Sequence, residues 1–139
     1  MNRIIKFRGR KNSNKKWIYG SLVSDKIQGY AIIQIMDNPI FNGIISGWCF
    51  GIEKGTEGQF TGLLDKNGKE IYEGDILSSV SSFDSRHSKK KNPYYVVIWD
   101  VCSFKVKGYN GDLPVTPELT FKSDWEIIGN IYENHELLK

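Results

Sequence analysis

Leu63-Leu64-Asp65-Lys66-Asn67-Gly68-Lys69-Glu70-Ile71-Tyr72-Glu73-Gly74-Asp75-Ile76-Leu77 is the stretch from which the fold is read. Two short apolar runs flank Asn67-Gly68. Asn and Gly tolerate the positive φ angles of a type I′ turn, whose twist suits two antiparallel strands. The return strand then holds Ile71 and Tyr72, Gly74 permits a sharp bend, and Asp75 leads into Ile76 and Leu77. The same dipeptide recurs at Asn42-Gly43 and Asn110-Gly111, so hairpins are expected at three places.

Outward from that stretch the chain repeats short runs of β-branched and aromatic residues: Ile4 to Phe7, Trp17 to Val23, Tyr30 to Ile35, Ile44 to Phe50, Ile71 to Val80, Tyr94 to Trp99 and Trp125 to Tyr132. Such residues suit pleated strands. Tyr94 to Trp99 is apolar throughout, as in a strand covered on both faces. Gly129 inside the last run marks a bulge or a corner of close backbone approach. No window sustains a 3.6-residue apolar period, and 14 glycines weaken any long helix. Short helical turns are expected only near Thr116-Pro117-Glu118 and after Asn134. Ser81 to Asn92 is polar and basic and reads as a long exposed loop.

The 139 residues fit one domain, 1–139, with a subdivision allowed between an amino-terminal sheet, 1–55, and a later portion, 56–139. The composition, 40% hydrophobic and 25% charged, is that of a folding globular chain rather than a disordered one. Two cysteines, Cys49 and Cys102, make no disulfide framework and lack zinc spacing; their apolar surroundings suggest buried free thiols in a reducing cytoplasm. Apolar runs stop short of the ~20 residues that span a bilayer, so no membrane association is expected.

Phe7-Arg8-Gly9, Lys16-Trp17-Ile18-Tyr19-Gly20-Ser21-Leu22, the long segment Gln59 to Ile76 and Trp125-Glu126-Ile127-Ile128-Gly129-Asn130-Ile131-Tyr132-Glu133-Asn134 together resemble the YopX-like family of phage and prophage proteins. The resemblance runs in order over nearly the whole chain and departs most between Ser78 and Ser123. It implies an all-β fold of antiparallel hairpins with very little helix, a small Src-homology-3-like barrel in the carboxy-terminal part, and a bacterial cytoplasmic setting. It carries over no catalytic residue and no cofactor.

The residues themselves offer three constellations. Net charge is only +3, but the amino terminus crowds Arg8, Arg10, Lys11, Lys15 and Lys16 without an acid, and the mid-chain loop adds Arg86, Lys89, Lys90 and Lys91. Cations of this kind neutralise phosphates, and Trp17, Tyr19 and Phe83 would stack on bases if exposed; the competing reading is a solvated basic face. Asp65, Glu70, Glu73 and Asp75 could serve acid-base work or an oxygen-ligand metal, against the commoner role of solvated charges beside a turn. Asp84, Ser85, His87 and Ser88 hold the groups of a catalytic triad, but neighbours on a loop lack the rigid placement a triad needs. No metal, cofactor or catalytic residue is therefore assigned.

The leading expectation is a non-enzymatic binding or assembly module that meets a protein partner through strand edges or loops, with room for a homo-oligomer that covers those edges. Nucleic-acid binding through the basic clusters is the alternative. A metal-dependent hydrolase or nuclease ranks last.

Overall fold

The computed structural model of the chain describes residues 4–25, 29–41, 44–79, 94–108 and 125–138. Ten strands account for most of them: β1 (Phe7–Arg10), β2 (Trp17–Asp25), β3 (Gly29–Phe41), β4 (Ile44–Gly51), β5 (Gly58–Leu64), β6 (Glu70–Tyr72), β7 (Asp75–Ser79), β8 (Tyr94–Asp100), β9 (Ser103–Gly108) and β10 (Trp125–Asn130). Among the described residues the helical content is one 3-10 turn, His135–Leu138. The all-β expectation holds. The turns at Asn42-Gly43, Asn110-Gly111 and Thr116-Pro117-Glu118 and the loop Ser81 to Asn92 lie outside the described residues. The chain divides into two compact units, Met1–Phe60 and Thr61–Lys139.

In the first unit the strands run β4-β3-β2-β1, neighbours pairing antiparallel, and β1 also pairs antiparallel with the start of β5 at Phe7↔Gln59 and Arg8↔Gly58. Strand alternation sends Ile18 and Ile32 to one face, where they meet Ile52. Phe7, Leu22, Tyr30 and Phe50 pack around these three. The end of β1 reaches the residues after β4: Lys11 bridges Ile52, the Asn12 amide donates to the Gly51 carbonyl at 3.1 Å, and the Glu53 amide donates to the Arg10 carbonyl at 2.8 Å.

In the second unit an antiparallel sheet runs β10-β7-β8-β9. Its core is Ile71, Leu77, Tyr95, Val97 and Val106, with Leu63, Phe104, Trp125 and Ile127 packed around it. The Trp125 ring meets Tyr95 edge-on, centroids 5.3 Å apart. Among the described residues no pairing of β9 with β10 closes this sheet into a barrel. The middle of β8 is buried as a two-sided strand would be, but Trp99 at its end is exposed.

The decisive turn has a different geometry from the one its dipeptide suggests. Gly68 takes φ 79°, whereas Asn67 is not among the residues with positive φ. The Gly68 amide donates to the Asp65 carbonyl at 2.9 Å, and the Asp65 amide donates to the Lys69 carbonyl at 2.8 Å. That is the pattern of a three-residue hairpin loop ending on a glycine bulge. Asp65 supplies the reason: its Oδ1 accepts the amides of Asn67 at 2.8 Å and Lys69 at 2.9 Å, satisfying the loop from inside. The two-residue turn with both central φ angles positive is instead Val101-Cys102, between β8 and β9. At Gly129 the β7–β10 register shifts, and a Cβ there would lie 2.4 Å from the Asn134 side-chain oxygen. That contact is the close approach the glycine permits.

Candidate interaction surface

The amino-terminal cations are placed by the β1–β2 register. Arg8 stands opposite Tyr19 and Arg10 opposite Trp17, so all four share one face of the ribbon. The Arg8 guanidinium lies 4.7 Å from the Trp17 ring centre, and the Lys6 ammonium lies 5.6 Å from that of Tyr19. Both are cation–π distances. Arg8 is buried, at 6% exposure.

Arg10 and Lys15 both bind the Glu53 carboxylate, one on each oxygen. The hydrogen bond from Lys15, then that from Arg10, holds the Glu53 carboxyl below its ordinary pKa. The Lys11 ammonium sits 3.6 Å from the Phe50 ring centre. Lys16 is exposed, and its amide donates to Asn14 Oδ1 at 3.1 Å. Four of the five cations, Arg8, Arg10, Lys11 and Lys15, are thus turned toward groups of their own unit. Arg86, Lys89, Lys90 and Lys91 lie outside the described residues, as do Phe83, Asp84, Ser85, His87 and Ser88.

The acidic group is not the set of solvated charges its place beside a turn suggests. Asp65 and Asp75 are buried. Asp65 Oδ2 accepts the Ile127 amide at 3.2 Å, in addition to the two amides on Oδ1. Burial alone would push this carboxyl up, but the amides of Lys69, Ile127 and Asn67 outweigh it and hold the pKa below the ordinary value. Asp75 Oδ2 accepts the Tyr72 amide at 2.8 Å, closing the β6–β7 turn. Glu70 accepts the Tyr72 hydroxyl at 2.6 Å. The Asp65 and Asp75 carboxylates thus organise backbone, and Glu70 holds a side-chain hydroxyl. Among the described residues no three His, Cys, Asp or Glu side chains gather where a metal ion would be held.

The cysteines also differ from expectation: both are exposed free thiols. Cys49 alternates away from the Ile32 core face on β4, and Cys102 sits at the tip of the β8–β9 turn. Apolar neighbours in sequence did not bring burial: Cys49 stands opposite Ile33 on β3 and is still exposed.

The remaining surface feature is β4 itself, Ile-Ile-Ser-Gly-Trp-Cys-Phe-Gly, the terminal strand of its sheet. The Ile52 amide donates to the Tyr30 carbonyl at 3.1 Å, so residue 52 faces β3. Antiparallel ladders alternate, and Phe50 and Trp48 therefore face β3 as well, while Cys49 and Gly47 direct their N–H and C=O groups away from it. The Gly51 carbonyl, of the same parity, is the one that Asn12 meets. Trp48 is 62% exposed and pairs with Gln34; on the opposite face Cys49 and Ile35 are exposed. Edge strands are usually protected by charge, proline or brevity. This eight-residue strand has neither charge nor proline.

The family described as YopX protein matches residues 6–139. The chain belongs to the YopX family. A solved structure, protein EF1440 from Enterococcus faecalis, is similar to this YopX-family chain at 24% identity and a TM-score of 0.60, covering 99% of this chain and 100% of that one. That likeness shows a shared fold. Comparison with curated proteins finds no match.

Sequence reasoning located the run that forms β4 in the YopX-family chain but not its position at the end of a sheet. The signal present in the sequence was the absence of any charged residue between Ile44 and Gly51. The strand β9 went unread because Ser103-Phe104-Lys105-Val106-Lys107-Gly108 follows a turn that lacks Asn and Gly.

Proposed function

We propose that this YopX-family chain is a non-enzymatic binding module whose β4 edge receives an extended segment of a protein partner. The observation that carries the reading is an uncharged edge strand with outward backbone groups at Gly47 and Cys49 and an exposed Trp48 beside them. Strand addition draws affinity from such backbone groups and specificity from the flanking side chains. An exposed aromatic at the centre of the contact is the usual anchor.

The engagement of Arg10 and Lys15 by Glu53, and of Lys11 by Phe50, supports this reading over a phosphate-binding face. A hydrolytic role has the least support, since Asp65 and Asp75 are committed to backbone amides. In this reading the second unit is a scaffold of Src-homology-3-like type, left open between β9 and β10, and the module works in the cytoplasm of a bacterium that carries the phage or prophage. The family resemblance supports both points.

The test is affinity capture from bacterial cells with the native chain and with Trp48→Lys/Cys49→Lys. A specific protein retained by the first and lost by the second is the expected result. Equal retention by both, or none by a native chain that is also monomeric, contradicts the reading.

A further inference from the structure

We infer that the β4 edge pairs with the β4 edge of a second copy of this chain, forming a two-fold dimer with Trp48 at the symmetry axis. The inference rests on the edge-docking reading above and names the occupant.

Among the described residues the free part of the edge is short and bounded. On one side the Gly51 carbonyl is taken by the Asn12 amide. On the other, the β3–β4 register shifts between Ile35 and Ile40, so the alternation set at Ile52 carries only as far as Ile35↔Gly47, and pairing resumes in a new register at Ile40↔Ile45. Within these bounds the outward-facing residues are Gly47 and Cys49. A two-fold that sets Gly47 of one copy opposite Cys49 of the other maps this pair onto itself. Each such pair exchanges both N–H···O=C bonds, so every outward group between the bounds finds a partner.

The side chains agree with that register. Trp48 of each copy falls opposite its own counterpart in the closer, non-hydrogen-bonded kind of pair, with Cα atoms ~4.5 Å apart. Two indoles at that separation cover one another's exposed surface. Cys49 faces a glycine, which leaves it room. With no charged residue between Ile44 and Gly51, self-pairing brings no like charges together along the strand.

The register makes the test specific. Sedimentation of the full chain is expected to give about twice the 15.9 kDa chain mass. Trp48→Lys alone and Trp48→Glu alone are expected to sediment as monomers, since each places like charges across the axis, and an equimolar mixture of the two restores the dimer. Trp48 is exposed, so circular dichroism should show both variants folded. In a Cys49→Ser/Cys102→Ser background, Trp48→Cys is expected to cross-link to a covalent dimer on mild oxidation. The native Cys49 pair, whose Cα atoms would be roughly 8 Å apart across the axis, should not, because a disulfide needs them under about 7 Å.

A native chain that stays monomeric at high concentration overturns the self-pairing yet leaves capture of another protein's strand standing, provided that capture is lost in Trp48→Lys/Cys49→Lys. A native dimer that Trp48→Lys leaves intact places the dimer contact elsewhere and overturns the inference. Loss of both dimer formation and edge-dependent capture removes the underlying reading as well.

Discussion

The carboxylate of Asp65 accepts the amide of Ile127 at 3.2 Å, tying the β5–β6 turn to β10 across 62 residues of sequence. The neighbouring Lys66 amide donates to the Trp125 carbonyl at 2.8 Å, and the Lys66 ammonium meets Glu126 at 2.7 Å. A buried carboxylate thus organises a hairpin loop and fastens a distant strand. Its removal leaves three backbone amides without their acceptor.

Asp65→Ala should therefore cost about 3 kcal/mol of folding stability, the range for losing a charged acceptor from buried amides. Asp65→Asn should cost less, because a neutral oxygen still accepts. The folded pKa of Asp65 is depressed, so its contribution is fully present above the unfolded carboxylate value of about 3.9 and is lost as pH falls through the folded value. Urea denaturation at neutral pH and below pH 4 checks both points. The native chain should lose stability on acidification more steeply than Asp65→Asn; equal slopes would contradict the assignment.

Val101 and Cys102 form the β8–β9 turn with φ angles of 44° and 63°. A β-branched residue in this region is strained, and left-handed backbone costs an L residue roughly 1–2 kcal/mol. Replacing the two with Asn-Gly keeps the turn and removes the strain. The variant should gain about 1–2 kcal/mol and melt several degrees higher. An unchanged or lower melting temperature would show that the native turn is not strained.

Both thiols are exposed, so a thiol reagent added to native protein should titrate two groups without denaturant. Cys49→Ser and Cys102→Ser should each remove one. Protection of both thiols in a dilute folded sample would contradict the exposure described.

The strands were legible where local chemistry and global fold agree. Trp125 to Asn130 reads as a strand with an interruption at Gly129, and the interruption is where the register shifts. Asn67-Gly68 marked a hairpin correctly but not its loop type, because Asp65, two residues upstream, sets the geometry through its own hydrogen bonds. The β8–β9 hairpin was illegible in its turn: Val101-Cys102 carries no turn propensity, so tertiary pairing of Tyr95 with Gly108 and Trp99 with Phe104 must impose it. Burial of single residues was harder still. Cys49 and Cys102 sit in apolar sequence yet face water, while Asp65 and Asp75 sit in polar sequence yet lie inside. The β4 edge is a property of sheet order, and sheet order is set by long-range pairing that no local window contains.

Backbone amide exchange at Gly47, Trp48, Cys49 and Phe50, followed by nuclear magnetic resonance in dilute and in complexed protein, tests the open β4 edge most directly. In the dilute chain Trp48 and Phe50 should exchange slowly, bonded to β3, while Gly47 and Cys49 exchange many-fold faster; in the dimer or with a captured partner these two should become slow as well. Gly47 and Cys49 already protected in the dilute chain, or still fast in the complex, would contradict the account.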